Sequence, residues 1–464
     1  MIGRHGFIAI VLLLLTGCTV GPKYKRPAVT VPGAYRGLAP DSDPQTITSL
    51  GDEKWWAVFQ DEQLQALIRE ALAQNYDVRV AATRVLQAHA VLGITRADQF
   101  PTVTGGTSAS NLGVPRTKNL PSFETSSNEV NLSLFWELDF WGKFRRATEA
   151  ARANLLATEW GQKAVVSSLI SNVASAYFQL LELDAEMEIS RRTLASRRDS
   201  LRLVEIRAKG GATSLLDVRQ SEELVYTAAA AIPDLERSIE QQENLISILL
   251  ARNPGPVTRG RSLVEQAILP VVPAGLPSSL LARRPDIESV EQQLIAANAR
   301  IGVARAAYFP QITLTAVAGY QSPALTSLFS GPAGFWNFGG QLLQPIFTGG
   351  RIRSNVRLTE AQQQEAVLIY QQSIQQAFRE VSDSLVAYRK NQEFRAQQQL
   401  LTAAAEDATR LSLVRYRGGV TSYLEVLDSD TRQFDAQLGL ARAQLNERLA
   451  LVQLYNALGG GWQQ

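Results

Sequence analysis

The chain has 464 residues, 45% of them hydrophobic and only 19% charged, against a usual charged share of about 25%. Its 46 Lys and Arg nearly balance 44 Asp and Glu, for a formal net charge of +2, so no basic field gathers phosphates and a nucleic-acid partner is not expected. One cysteine, Cys18, and two histidines, His5 and His89, exclude an internal disulfide and leave too little for a Cys/His metal site or a His-dependent triad, so neither metal nor cofactor is expected.

Taken in chain order, Arg4 and His5 precede an apolar run from Phe7 to Leu15, which predicts a secretory signal peptide over residues 1–17. The following Leu15-Thr16-Gly17-Cys18 resembles the lipobox of bacterial lipoproteins, which implies that Cys18 carries the lipid anchor. Thr19 in place of an aspartate implies, by the same resemblance, sorting to the outer membrane. Residues 18–54 read as a lipidated tether, because 19–44 are rich in proline and glycine and lack helical periodicity.

The remainder is one unit written twice. Arg207-Ala-Lys-Gly-Gly-Ala-Thr-Ser214 recurs as Arg415-Tyr-Arg-Gly-Gly-Val-Thr-Ser422, an offset of 415 − 207 = 208. Val166, Ile170, Val173, Tyr177 and Leu180 match Ile374, Phe378, Val381, Leu385 and Tyr388 at that offset, with steps of 4, 3, 4, 3 in both sets. Gly93, Arg96, Phe100 and Pro101 correspond to Gly302, Arg305, Phe309 and Pro310 at 209. The copies occupy residues 55–252 and 285–464, and a proline-rich connector spans 253–284.

Each copy is predicted to open with a helix ending near Phe100 or Phe309, where a proline closes it. Hairpins follow at 101–141 and 310–348. Residues 129–140 alternate apolar and polar positions over twelve residues, the pattern of a barrel strand with one face to lipid, and 311–320 repeat it. Residues 102–110 and 335–347 are weaker strands, though Phe335, Trp336, Phe338 and Phe347 suit an interfacial aromatic girdle. Very long helices run from 142 to about 209 and from 351 to about 417, the second approaching 100 Å at about 1.5 Å per residue. Gly210-Gly211 and Gly418-Gly419 turn the chain, and Thr213 and Thr421 are expected to cap return helices reaching about Leu250 and Leu458. The 4, 3 spacing is the seam of an antiparallel coiled coil.

The expected class is therefore a mixed α+β membrane protein. No stretch offers the roughly 18 uninterrupted apolar residues of a spanning helix, so any crossing is made by strands. A four-stranded sheet in hydrocarbon leaves two bare edges at several kcal/mol per unpaired backbone group, and the smallest membrane barrels have about eight strands. Two chains give eight strands; three give twelve and room for a lumen.

These residues resemble the outer-membrane efflux proteins (TolC-like), in their lipoprotein branch serving resistance-nodulation-division (RND) pumps. The resemblance covers essentially the whole chain. It rests on Cys-Thr-Val-Gly-Pro-Lys-Tyr-Lys-Arg-Pro from Cys18, Leu276-Pro-Ser-Ser-Leu-Leu-Ala-Arg-Arg-Pro-Asp-Ile287, Thr348-Gly-Gly-Arg351 and Leu458-Gly-Gly-Gly-Trp462. It implies a homotrimer with a twelve-stranded outer-membrane barrel and a helical tunnel of about 100 Å through the periplasm. It further implies a periplasmic adaptor (membrane fusion) protein and an inner-membrane RND-type transporter as partners.

The implied function is a passive exit duct for small molecules such as drugs, toxic compounds or metal ions, and not an enzyme. Residues 423–432 resemble the family's periplasmic constriction, which carries over to Leu424 and Asp428 as pore gate. Three copies of each would form an apolar and an acidic ring. The family's arginine three residues after the aspartate is Thr431 here, with Arg432 next. Glu425 and Asp430 read as a solvated acidic face. Arg207, Gly210, Gly211, Arg415, Gly418 and Gly419 are the adaptor-docking candidates, whereas Arg283 and Arg284 suit a helix start. The alternative within the class is an exit duct of a secretion system exporting peptides or proteins. More distant is a lipidated periplasmic adaptor or scaffold, which would lack the two membrane-type hairpins. A lipoprotein enzyme lacks support from any G-x-S-x-G, H-E-x-x-H or phosphate-loop pattern.

Overall fold

The computed structural model describes residues 19–38, 48–116, 118, 121–266 and 272–463, so the signal peptide and Cys18 lie outside the described residues. The main elements run α1 (Glu62–Gln74), α2 (Tyr76–Ala97), β1 (Thr102–Val114), β2 (Phe123–Glu137), α3 (Lys143–Lys209), α4 (Leu215–Leu249), α5 (Pro277–Arg283), α6 (Pro285–Ala306), β3 (Gln311–Ser322), β4 (Gly334–Leu343), α7 (Arg351–Arg417) and α8 (Tyr423–Ala457). The duplication is visible in matched lengths: α2 and α6 have 22 residues each, α3 and α7 have 67, and α4 and α8 have 35. Part of α3 is apolar enough by composition to span a bilayer, yet most of that stretch is buried inside the protein.

Two compact units form. One gathers the segment ending at Ala28 with Arg84–Glu159 and Ser289–Tyr370; the other gathers Val29–Thr83, Trp160–Glu288 and Gln371–Gln464.

The first unit holds an antiparallel sheet in the order β1-β2-β3-β4. Its register decides its chemistry, because directly opposite residues share a face. Leu132 faces Gly105 on one side and Ala318 on the other, and Ala318 faces Trp336. Leu134 likewise aligns with Val103, Ala316 and Phe338. Along these rows one side of the sheet is apolar, while the other carries Glu129, Asn131, Ser133 and Thr315. A side chain at Gly319 would start 2.2 Å from the Val130 carbonyl oxygen, so only glycine allows β2 and β3 to approach so closely there.

Two strand boundaries differ from the sequence pattern. β2 begins earlier, at Phe123, and ends at Glu137 although the alternation continues to Phe140. The reason is Asp139, whose carboxylate accepts from the backbone N–H of Phe144 at 3.1 Å and of Arg145 at 2.9 Å. It satisfies the open N-terminus of α3 instead of extending the ladder. β4 stops at Leu343, leaving Phe347 outside the strand and exposed.

Below the sheet, Ala150 and Ala153 of α3 meet Ala296 and Ala299 of α6, small residues that bring the two backbones close. The tether is fastened here. Val20 N–H donates to the Trp141 carbonyl at 3.0 Å, Asn298 to that of Pro22 at 3.1 Å, and Arg26 Nε to Glu291 at 2.7 Å.

In the second unit the coiled-coil positions Ile170, Val173, Tyr177, Leu180, Ile374, Val381, Leu385 and Tyr388 are buried, and Val166 and Phe378 half-buried. Arg283 pairs with Asp52 at 2.7 Å, and Arg284 with Asp286 and Glu380 at 2.7 Å each. The return helices are capped differently from the threonine expectation. Ser214 is the N-cap of α4, in a capping box with Asp217, and Ser422 occupies that place before α8. The box needs its acid three residues after the cap, a spacing that Ser214 satisfies and Thr213 does not. The Thr213 and Thr421 hydroxyls donate instead to the carboxylates of Asp217 and Glu425. The Thr213 hydroxyl and the Ser214 backbone hold the Asp217 carboxyl below its usual range.

Candidate functional site

The duplicated Arg-x-x-Gly-Gly turns close α3 and α7 in the same way. Ala212 N–H reaches the Arg207 carbonyl at 2.9 Å and Val420 N–H that of Arg415 at 3.0 Å, the long bond of a glycine-terminated helix. Gly211 and Gly419 have φ of +71° and +75°, which a side chain would strain. Gly210 and Gly418 are not in that region and owe their presence to nothing in the backbone angles.

The duplicated arginines have diverged. Arg207 donates to the carbonyls of Tyr416 at 3.1 Å and Arg417 at 3.2 Å, with its guanidinium 4.4 Å from the Tyr416 ring centre. A cation thereby occupies the negative end of α7 and ties the two turns together. Arg415 instead pairs with Glu425 at 3.4 Å, both half exposed. Around these turns Ile206, Leu215, Leu216 and Val420 are exposed, an apolar rim that motif reading missed because its residues come from three separate stretches of the chain.

Inside the turns, Val204, Val218, Tyr416, Tyr423, Val426 and Leu427 form a core. The rings of Tyr416 and Tyr423 lie 5.1 Å apart, and the hydroxyls of Tyr423 and Ser221 share a hydrogen bond at 3.0 Å. Burial raises the Tyr423 hydroxyl above its ordinary pKa, so it stays protonated. Leu424 and Asp428 stand one turn apart on the opposite, open face of α8, and both are exposed. Asp428 is paired with Arg432 at 3.1 Å. The absence of an arginine at position 431 therefore does not leave the aspartate without a cationic partner, since Arg432 stands four residues on.

Asp430 corrects the sequence expectation of a solvated acid. It accepts from Arg197 Nε of α3 at 2.6 Å, and the Arg197 side chain is only 4% exposed. Arg197 also donates to the Leu224 carbonyl of α4 at 3.0 Å and stands 5.0 Å from the Phe434 ring centre. One side chain thus joins three helices. The position equivalent to Arg197 in the second repeat is Ala405, so the duplication gave no signal for it.

Farther along α3, Glu182 and Glu186 are both buried and share a hydrogen bond, and Arg442 of α8 donates to Glu186 at 2.9 Å. Burial and the adjacent Glu186 push the Glu182 carboxyl up to about 7, against the pull of Arg442. His89 lies 3.8 Å from Glu159, exposed. Among the described residues no group of three or more His, Cys, Asp or Glu could hold a metal ion.

A sheet apolar on one face and polar on the other, with helices of 67 residues continuing from its strands, is the architecture of an outer-membrane channel subunit. The Outer membrane efflux protein family matches residues 67–252 and 276–460, and the chain belongs to that family. It is similar to the Escherichia coli protein named Cation efflux system protein CusC, with 37% identity over 463 residues covering 98% of each chain. It is also similar to Toluene efflux pump outer membrane protein TtgI of Pseudomonas putida, with 39% identity covering 97% of each. Among solved structures, the outer-membrane channel OprN matches with a TM-score of 0.90 and 30% identity, over 96% of this chain and all of that one. The protein is an outer-membrane channel component of an efflux system.

Proposed function

We propose that three copies of this chain close one duct, each contributing four strands to a twelve-stranded barrel. The observation that carries this is the register: the four strands pair as one continuous antiparallel sheet with an apolar band around Leu132 and Leu134 on one face, and β1 and β4 each leave a long outer edge bare. In hydrocarbon such edges must be paired, and β1 of one copy against β4 of the next does so with the same arrangement at every joint. A cysteine introduced in β1 and another in β4 should crosslink neighbouring copies into a closed three-chain ring. Crosslinks confined to one chain would refute the arrangement.

Conduction through this duct is passive, and the force comes from an inner-membrane RND-type transporter joined through a periplasmic adaptor. The exposed apolar rim at the turns, with Arg207, Gly210, Gly211, Arg415, Gly418 and Gly419, is the adaptor-docking surface. Leu424 and Asp428 form the gate rings, and Cys18 carries the acyl anchor. The cargo is a small molecule or ion. That relatives named for cations and for toluene share over a third of this chain's residues fits a duct indifferent to what it carries, with selection made by the pump.

A further inference from the structure

At one pair of facing positions the two repeats differ in charge. α3 and α7 begin at 143 and 351, 208 apart, so Glu360 corresponds to Arg152, and Arg305 corresponds to Arg96 at 209. In the second repeat Arg305 donates to Glu360 at 2.7 Å. In the first repeat the same two places hold two arginines. Neither Arg96 nor Arg152 has an ion-pair partner among the described residues.

Both arginines line one open groove of about 580 Å³ whose wall includes Leu92, Gly93 and Thr148. The other charges there are already matched. Arg145 is held by Asp139, Glu149 by Arg146 at 2.8 Å, and His89 faces Glu159. What remains is a pair of guanidiniums over a partly apolar floor. Such forks suit the oxygens of a phosphate, which a guanidinium contacts through two parallel bonds.

The groove lies at the foot of the first hairpin. Gln99, part of its lining, donates to Thr148 at 2.6 Å, and its carbonyl accepts from Trp136 of β2 at 3.1 Å. Arg96 stands one residue before the end of α2 at Ala97, and five residues separate it from the start of β1 at Thr102, which puts it at the foot of the strand, where the headgroup layer flanks the hydrocarbon.

We propose that Arg96 and Arg152 bind the phosphate of an anionic glycerophospholipid in the periplasmic leaflet of the outer membrane, its acyl chains lying along the apolar face of the sheet. This rests on the reading that the sheet sits in that membrane. A free phosphate has the same chemistry but no reason to choose a groove at the hydrocarbon edge. The second repeat, with its arginine already neutralised by Glu360, has no equivalent site.

The test uses the full-length protein reconstituted into phosphatidylcholine nanodiscs containing a minor share of phosphatidylglycerol, followed by native mass spectrometry of the lipids retained on release. The wild type should retain phosphatidylglycerol about tenfold above its share, the effect of one good charge-assisted contact. Arg152→Glu rebuilds the arrangement of Arg305 and Glu360 and should abolish that enrichment, and Arg152→Gln should reduce it, with channel conductance unchanged in both. Glu360→Arg should add a second retained lipid per chain, which keeps the idea testable if Arg152→Glu does not fold. No enrichment in the wild type, or enrichment undiminished in the Arg152 variants, would overturn the site. Full displacement by millimolar inorganic phosphate would overturn the lipid in favour of a free anion. Failure of the wild type to insert into bilayers would instead refute the membrane reading itself.

Discussion

Arg197 and Asp430, 233 positions apart in sequence, meet at 2.6 Å and hold the first long helix to the start of the last one. The bond lies two residues from Asp428 in the helix whose outer face carries the proposed gate, so the position of that face depends on a contact made on its far side. Removing one partner of a buried ion pair costs about 3–5 kcal/mol because a charge is left unpaired. Arg197, far less exposed than Asp430, is the charge that suffers. Asp430→Asn should therefore lower the thermal midpoint and raise single-channel conductance in planar bilayers. A stable variant with wild-type conductance would detach this pair from gating.

Asp428→Ala should behave differently. Its pair with Arg432 is exposed on both sides, and such pairs contribute at most about 1 kcal/mol. Stability should hardly change, while cation preference falls and conductance rises, because the proposed gate loses its three carboxylates. Unchanged ion selectivity would remove Asp428 from the gate.

The Glu182 carboxyl, pushed up to about 7 by burial and by Glu186, makes stability depend on pH. Its folded pKa is above the ordinary value of 4.5, so the folded protein holds this proton more tightly than the unfolded chain. The stabilisation is complete below about pH 4.5 and disappears as pH rises through about 7. The difference in thermal midpoint between wild type and Glu182→Gln should accordingly shift against the wild type between pH 5.5 and 8. A constant difference across that window would contradict the shared-proton arrangement.

Cys18→Ser should abolish acyl incorporation, read directly by mass spectrometry of the mature protein, while leaving channel conductance close to wild type. The barrel strands supply their own anchorage, so losing the lipid leaves the sheet in the membrane. Acylation persisting in the variant would refute the lipobox.

Much of this was legible in the sequence because duplication doubles weak signals. The glycine turns, the heptad positions and the matched helix lengths each occur twice, and alternation in β2 and β3 has strong contrast between Leu, Val or Trp and Ser, Asn or Glu. β1 was faint because Thr102–Val114 is mostly threonine, serine and glycine; it becomes a full strand through pairing along all thirteen positions with β2, a tertiary cause that local pattern does not carry. Arg197 escaped for the opposite reason. A lone arginine in a long polar helix looks solvated, and only the approach of α4 and α8 makes it central. Thr213 and Ser214 are equally good caps by type, and the choice between them was made by the position of Asp217.

The closed three-chain duct is tested most directly by native mass spectrometry of the full-length protein released from outer membranes in mild detergent. Three copies per particle, persisting when the detergent is diluted and accompanied by ohmic channels on reconstitution, are the predicted result. A monomer that forms channels, or a particle of two or four copies, would contradict it.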